Sequence, residues 1–473
     1  MNTIINKKTL TFKEIEKIIY EFFCMKARKI TGLILEEYDR QLADERDRNA
    51  YRHKGYRRTT IKTVYGEVCY KRAVYQTTDE NGIRKFVFLL DEMLQISLVG
   101  LISENFAEKL VSGITTKSYR KCAEELTETT GQSISAMGVW KIIQTLGEEV
   151  DEEEKELTRA HKKNLVHGKK ECPVLFEEID GVNIRLQGED RKKNPSGKAE
   201  MKVAIAYDGW EKTGKDRYRL HNKIAFAGFA GSKEFHRIRE ARIAEEFNLD
   251  EVEVRVLNGD GATWIKKVPD TETLFQLDPF HRNKAVRECI ADKGAQSEVM
   301  SFLRNNDIEG MFRYLSIYRD SIADDEDIAK ADELISYFSR NAKGLIPWQE
   351  QCEVPDSPDG LEYRNMGTME NHVSSIIANR MKKGHMTWSI KGANNFAKIM
   401  AKKGEGRLYE ITDRLKRPVF EEEKIQEILD GFSIAKTPKH DGNGYEYPQK
   451  GRIVLLGGPE KGNLRTWLEI AGY

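Results

Sequence analysis

Residues 173–188 read PVLFEEIDGVNIRLQG, and this stretch decides the architecture. PVLFEEID is an apolar run that ends in Glu177, Glu178 and Asp180. Val182, Ile184 and Leu186 then alternate with polar residues, which predicts a second strand. Met201, Val203, Ile205 and Tyr207 alternate in the same way and predict a third. The polar segment GEDRKKNPSGKAE (188–200) between them reads as a turn or flap. The spacing predicts an antiparallel three-strand meander. Downstream, a helix is expected from Ser232 to about Phe247, and Val252, Val254 and Val256 mark a fourth strand that ends in NGDGA (258–262). A short helix around Trp264–Lys267 and a fifth strand, LFQLD (274–278), follow.

Three antiparallel strands followed by helix, strand, helix and strand give an α/β class with the element order of an RNase H-like domain. Three acidic side chains fall where such a core could bring them together. Asp180 closes the first strand, Asp260 lies just past the fourth, and Glu370 lies in GTMENHVSSIIANRMKK (367–383), whose Met369, Val373, Ile376 and Ile377 form one helical stripe. Clustered carboxylates bind hard divalent cations, here two Mg²⁺ or Mn²⁺ ions. Two such ions about 3.5–4 Å apart clamp the attacking and leaving oxygens of an in-line phosphoryl displacement. Each acid also has an ordinary structural reading. Asp180-Gly181 suits a type I′ hairpin turn, Asp260 suits a helix cap, and Glu370 is one of many helical glutamates. Asp278 and His281, in LDPFH, end the fifth strand and open a helix, so Asp278 could orient His281 toward a phosphate or a water. The alternative is a capping Asp beside a partly buried His.

Working outward, residues 11–37 carry Ile15, Ile18, Ile19, Phe22 and Phe23 at helical spacing. Tyr51–Tyr75 holds seven Lys/Arg against one Glu, with five tyrosines, on a hairpin pattern turned at Gly66. Basic residues interleaved with aromatics suit a phosphate backbone and stacked bases, which nominates Arg52, Lys54, Arg57 and Arg58; the alternative is a solvated face. Two helical stripes, Tyr119/Cys122/Ala123/Leu126 and Val139/Ile142/Ile143/Leu146, flank TTGQSIS (129–135). Gly131 as a stop and Ser135 as an N-cap fit a helix-turn-helix. Its second helix would expose Ser135, Met137, Trp140, Lys141 and Gln144, although an ordinary αα-hairpin reads the same way. Residues 148–163 predict a solvated linker helix. Residues 376–418 hold eleven Lys/Arg against three Asp/Glu, including Arg380, Lys382, Lys383 and Lys398.

These positive segments are local, because Lys+Arg and Asp+Glu balance at 77 each over 473 residues. No apolar run approaches the roughly 18 residues of a membrane span. Neither a signal-peptide core nor a P-loop, HExxH or GxSxG motif occurs. The six cysteines form no C-x-x-C pair, which disfavours a zinc finger and a disulfide framework. The expectation is a cytosolic protein with no membrane association. Its segments are 1–100 (helix and basic strands), 101–165 (helix-turn-helix and linker), 170–294 (first part of the core), 295–345 (helical insertion), 346–418 (last part of the core) and 419–473 (C-terminal extension).

The strings RHKGYRRT, EEIDGVNIRLQG, VLNGDGATWIKK, FQLDPFHRNKAV and GTMENHVSSIIANRMKKGHMTWSIKGANN together resemble DDE transposases of bacterial insertion sequences, specifically the ISLre family. LDPFH also looks like the D-x-x-H element of Mutator-type transposases. The resemblance implies Mg²⁺-dependent cleavage at element ends, followed by attack of the freed 3′-OH on target DNA. It makes Asp180, Asp260 and Glu370 the catalytic and metal-binding triad, and Asp278 and His281 auxiliary residues. The implied partners are terminal-repeat and target DNA, bound by at least a dimer. It also accounts for the long separation of Asp260 from Glu370 by an all-α insertion. Two alternatives stay open: a DNA-binding descendant without chemistry, and a structure-specific RNase H-like nuclease.

Overall fold

Residues 174–185 form one straight strand, not two joined by a turn. Neither Asp180 nor Gly181 adopts the positive φ that a type I′ turn requires. Instead Asp180 pairs with Val203 and Gly181 with Lys202 inside a continuous antiparallel ladder. Every residue from Val174 to Asp180 is buried, so packing on both faces overrides the local turn preference of Asp-Gly. This is a computed structural model, and it describes residues 10–80, 82–94, 101–266, 272–415 and 420–431.

The N-terminal part places a long helix, α1 (Phe12–Glu45), against an antiparallel sheet of β1 (Arg52–Thr63), β2 (Gly66–Thr78) and β3 (Arg84–Val87). Thr11 and Glu14 close α1 with a reciprocal capping box. A helical layer follows: α2 (Leu89–Leu94), α3 (Glu104–Ile114), α4 (Tyr119–Thr130) and α5 (Ala136–His161). Gly131 ends α4 in the left-handed conformation, and Ser135 caps α5. The expected linker helix is not a separate element, because α5 runs through it without a break. Nor is that stretch fully solvated: Glu154 pairs with Lys398, which is 3% exposed.

The central elements are β4 (Val174–Arg185), α6 (Gly188–Lys193), β5 (Lys198–Tyr207), β6 (Trp210–Gly214), β7 (Arg217–Leu220), β8 (Ile224–Gly228), α7 (Ser232–Glu246), β9 (Val254–Gly259), α8 (Thr263–Lys266) and β10 (Leu274–Leu277). Five of these strands form one mixed sheet in the order β10-β9-β4-β5-β8. β4, β9 and β10 run parallel, whereas β5 is antiparallel to both β4 and β8. The sequence pattern does not disclose β6, β7 and β8. The third strand of the antiparallel set is therefore β8, not residues 201–207.

Beyond the sheet come α9 (Pro279–Cys289), α10 (Lys293–Arg304), α11 (Ile308–Ser321), α12 (Asp325–Arg340) and α13 (Ala342–Leu345), the last four falling on the expected helical insertion. They enclose their own core around Val299, Met311, Leu315, Leu334 and Phe338. β11 (Leu361–Glu362) pairs with β6. α14 (Met369–Val373), a π-helical segment (Ser374–Ala378) and α15 (Asn379–Met381) follow head to tail, and then α16 (Ile390–Glu405).

The alternation of β4 sorts the two cores. Val174, Phe176, Val182 and Ile184 pack with Met369, Ile376, Ile377 and Phe396 on one face. Leu175 and Ile179 pack with Phe235, Ile243 and Phe247 on the other. Buried charges tie the layers together. Glu177 meets Arg239 and Arg255, and Glu405 on α16 meets Arg242 on α7 at 2.7 Å.

The chain divides into two compact units, Met1–Glu421 and Glu422–Tyr473. In the second, the described element is α17 (Glu422–Gly431). The strand expected in GRIVLLGG (451–458) lies outside the described residues.

Glu246, at the end of α7, is paired with Lys170 and Arg407. Burial alone would raise its pKa, but the two cations pull it down to about 2. Its folded pKa therefore lies below its unfolded value, so its stabilisation is present above that value and disappears as pH falls from about 4.5 toward 2. Glu246→Gln should destabilise the fold by about 2–4 kcal/mol at pH 7. In urea titrations the gap from wild type should narrow as pH falls below about 4.5 and close only near pH 2. A gap that stays constant with pH would show that the carboxylate is not held this way.

Candidate functional site

The site is organised by a carboxylate that the sequence pattern alone does not single out. Glu178 lies on the same face of β4 as Asp180, two residues away, and is 0% exposed. Its Oε1 accepts from Tyr207 Oη at 2.7 Å and Thr368 Oγ1 at 2.7 Å. Its Oε2 accepts from the backbone N–H groups of Gly367 (3.2 Å), Thr368 (2.8 Å) and Met369 (3.1 Å), and from Asn258 Nδ2 (3.0 Å). Those N–H groups form the start of α14, where the free donors and the helix dipole favour an anion. Burial pushes the Glu178 pKa up, and the hydrogen bonds from Thr368 and Tyr207 oppose it.

Asn258 extends the chain of bonds. Its Nδ2 also donates to Asp278 Oδ1 at 2.9 Å. Asp278 caps α9, its Oδ2 accepting from the Phe280 and His281 N–H groups at 3.0 and 3.1 Å and facing His281 Nδ1 at 3.1 Å. Asp278 holds His281 above its usual pKa; burial opposes this, and Asp180 and Asp260 add to it. The relay His281–Asp278–Asn258–Glu178 thus joins α9, β9, β4 and the start of α14.

The three sequence-nominated acids stand around this relay. Asp180 is buried on β4, where its Oδ1 accepts from Gly181 N–H at 2.7 Å. Asp260 follows β9, where its side chain accepts from Ala262 N–H at 2.8 Å and its carbonyl accepts from Tyr337 Oη at 2.8 Å. Gly261 makes that turn possible, because at φ +85° a Cβ would lie 2.6 Å from Asn341 Oδ1. Glu370 sits exposed in the first turn of α14. Asp180 is pushed up to about 6, chiefly by burial, with Asp260 and Glu370 adding to the shift and His281 opposing it. The four groups therefore share one electrostatic neighbourhood.

An all-oxygen donor set with mutually repelling charges suits a hard divalent cation such as Mg²⁺. Among the described residues, however, no group of three His, Cys, Asp or Glu is arranged as a ready metal site. The residue types fit the ion, but the side chains are not preset as a closed cage.

The nominated DNA contacts separate into two groups. Arg52, Lys54, Arg57 and Arg58 are exposed along β1 and make no ion pair among the described residues, and Tyr56 beside them is also exposed. Ser135, Met137, Trp140 and Lys141 are exposed or half-exposed at the start of α5, as are Lys382 and Lys383 after α15. Arg380 and Gln144 are not surface residues. Arg380 is 5% exposed, donates to the Ile114 carbonyl at 2.8 Å, and stacks over Phe396. Gln144 is 8% exposed, and its amide meets Asn395 on α16. Both are expected to point outward because a basic or polar residue on a helix is usually solvated, whereas here α16 covers that face.

The fold and site define a mixed α/β protein whose largest sheet presents carboxylates from β4, the end of β9 and the start of α14. Residues 5–417 match the uncharacterised protein family UPF0236. The chain belongs to that family. Similar proteins from Caldanaerobacter subterraneus subsp. tengcongensis include a UPF0236 protein whose name joins eleven locus designations, from TTE0033 to TTE2212. It is 25% identical over 415 residues, covering 86% of this chain and 80% of the relative. UPF0236 protein TTE2489 is 24% identical over 419 residues, covering 85% of this chain and 81% of the relative. Another, named by four loci beginning with TTE0610, is 24% identical with 85% and 80% coverage. No helix among the described residues is long and apolar enough to cross a membrane.

Glu178→Gln removes the charge and sets an amide N–H₂ against donors. It should cost at least about 3 kcal/mol, since several buried donors lose their acceptor. Hydrogen exchange should speed up at Thr368 and Met369 before the rest of the core. A stability change under about 0.5 kcal/mol, which is surface-like behaviour, would show that Glu178 does not hold α14 in place.

Proposed function

We propose that this protein is a DDE transposase of the ISLre type, which cuts DNA at element ends and joins the freed 3′-OH to target DNA. The observation that carries this reading is the placement of Asp180, Asp260 and Glu370 around Glu178: Asp180 and Asp260 each lie two residues beyond the paired Glu178 and Asn258, and Glu370 follows Met369, whose N–H donates to Glu178. The strand order β10-β9-β4-β5-β8, with β5 antiparallel to both of its neighbours, supports an RNase H-like core. The relatives' names, which join up to eleven loci of one organism, support a gene that is copied within a genome.

Asp180, Asp260 and Glu370 would hold Mg²⁺ or Mn²⁺. When bound, such ions neutralise the anionic transition state of phosphodiester displacement. The protein's own groups position the DNA. Asp278 fixes the His281 ring through Nδ1, which leaves Nε2 to meet a phosphate oxygen. The β1 cations offer charge along a duplex backbone, and the start of α5 offers Trp140 and Lys141 to a groove, as in a helix-turn-helix. A DNA-binding protein without chemistry is the second reading. It is favoured by the absence, among the described residues, of a ready three-ligand group.

On DNA bearing the element's own ends, with Mg²⁺, the wild type should cleave and join. Asp180→Asn, Asp260→Asn and Glu370→Gln should each reduce both steps to background while duplex binding persists. Normal cutting by any one of them would remove that residue from the site. Binding without cutting by the wild type, with Mn²⁺ also tried, would favour the second reading.

Charge reversal at Arg52, Lys54, Arg57 and Arg58 should weaken duplex binding. It should also reduce the slope of log affinity against log salt by up to about 3.6, at about 0.9 for each phosphate no longer neutralised. An unchanged slope, measured by fluorescence anisotropy, would take β1 out of the interface.

A further inference from the structure

A cleft of about 1050 Å³ opens between β7 and the strand-ending loop at 221–223, the Arg364–Thr368 segment with α14, and the end of α16. It shares Thr368, Asn371 and His372 with the Glu370 helix, but its lining includes none of Asp180, Asp260, Asp278 or His281. Its lining is strongly cationic. Some of that charge is already neutralised: Lys170 and Arg407 are tied to Glu246, Arg219 to Glu211, and Arg364 to Glu362 at 3.2 Å.

Two lysines differ. Lys223 and Lys403 are half-buried, and neither Nζ has an ion-pair or hydrogen-bond partner among the described residues. The lining carboxylate, Glu405, has a fully buried side chain and is engaged by Arg242 and the Ala225 N–H group. Burial lowers the pKa of both lysines, with Glu405 opposing this at Lys223 and Arg380 adding to it at Lys403. Two half-buried ammonium groups in one cleft, neither held by a hydrogen bond or ion pair among the described residues, suit an anion from outside.

The rest of the lining narrows the ligand. His221 is oriented by Asp208, whose Oδ1 lies 2.8 Å from Nδ1 and whose Oδ2 accepts from Asn222 at 2.7 Å, so the far ring nitrogen has no partner among the described residues. Tyr218 carries the Arg364 guanidinium 3.6 Å above its ring, a flat cationic shelf of the kind on which bases stack. The volume lies just above the roughly 300–1,000 Å³ typical of small-ligand sites, which suits a few nucleotides better than a duplex.

We propose that this cleft binds a short stretch of single-stranded DNA, with Lys223, Lys403 and His221 on its phosphates and the Arg364–Tyr218 stack against a base. The inference rests on the transposase reading for the identity of the polyanion. Its position on the flank of the Glu370 helix would hold one strand of an opened DNA end beside the acids, away from the β1 surface that meets duplex.

The test is anisotropy of a fluorescein-labelled single-stranded dodecamer on the full chain, without Mg²⁺. Lys223→Glu with Lys403→Glu should weaken binding at least about tenfold and reduce the salt slope by about 1.4, at about 0.7 for each single-strand phosphate no longer neutralised. Lys223→Arg with Lys403→Arg should bind like the wild type, which separates loss of charge from loss of fold. Wild-type affinity and slope in the reversed variant would overturn the cleft assignment, as would an equal loss on duplex. Neither result bears on Mg²⁺-dependent cleavage by the wild type, so the two readings fail separately.

Discussion

The buried carboxylate of Glu178 is the constraint on which the site depends. A charge with no access to water is stable only where donors surround it, and here those donors come from β5, β9 and the start of α14. The requirement works in both directions. Glu178 needs the α14 N–H groups, and α14, whose first turn has no side-chain cap of its own, needs Glu178. Among the described residues the Glu370 side chain makes no hydrogen bond or ion pair, so it is placed by the backbone of its helix. Because Asn258 donates to both Glu178 and Asp278, the orientation of His281 is coupled to the seating of that helix.

The opposite face of β4 meets the same problem with another solution. Glu177 points toward α7, where Arg239 of α7 and Arg255 of β9 neutralise it and Glu240 completes the network. Burial would raise the Glu240 pKa, but the two arginines hold it down to about 2. Adjacent glutamates in one strand thus face opposite layers, one held by cations and one by neutral donors. The α7 side is locked by arginines, while among the described residues no Lys or Arg pairs with Asp180, Asp260 or Glu370.

Much of this is legible in the sequence, and the exceptions have physical causes. The helix 232–246, the strands ending in NGDG and LFQLD, the caps Ser135 and Asp278, and the helical insertion all carry strong local signals, either periodic or turn-forming. The three acids stand out because each sits at a candidate strand or helix boundary. The break expected at Asp180-Gly181 does not occur, because burial on both faces outweighs a two-residue turn preference. Strands β6 to β8 escape a pattern search, since residues 210–228 show little alternation, and only tertiary pairing makes them strands. Glu178 is hidden as one of two glutamates before the aspartate. Period-two geometry alone places it beside Asp180, and a glutamate inside an apolar strand is the signal that would reveal it. Arg380, Gln144 and Lys398 defeat expectation for a shared reason: composition counts charge but does not see which face a later helix will cover.

The π-helical segment at Ser374–Ala378 has a geometric consequence for the stretch that carries Glu370. An α-helix advances by about 100° per residue, so one extra residue in a turn shifts the phase of everything beyond it by roughly that angle. Upstream, Met369 and Val373 face the core while Glu370 faces out. Downstream, Arg380 and Met381 also face inward, toward Trp388 and Phe396. The segment acts as an angular offset between the half-helix that carries Glu370 and an anchoring one. Deleting a single residue there would leave composition and charge nearly untouched, yet it would turn either the acid or the anchor to the wrong side. The spacing from Glu370 to Arg380 is thus as much a part of the site as the side chains themselves.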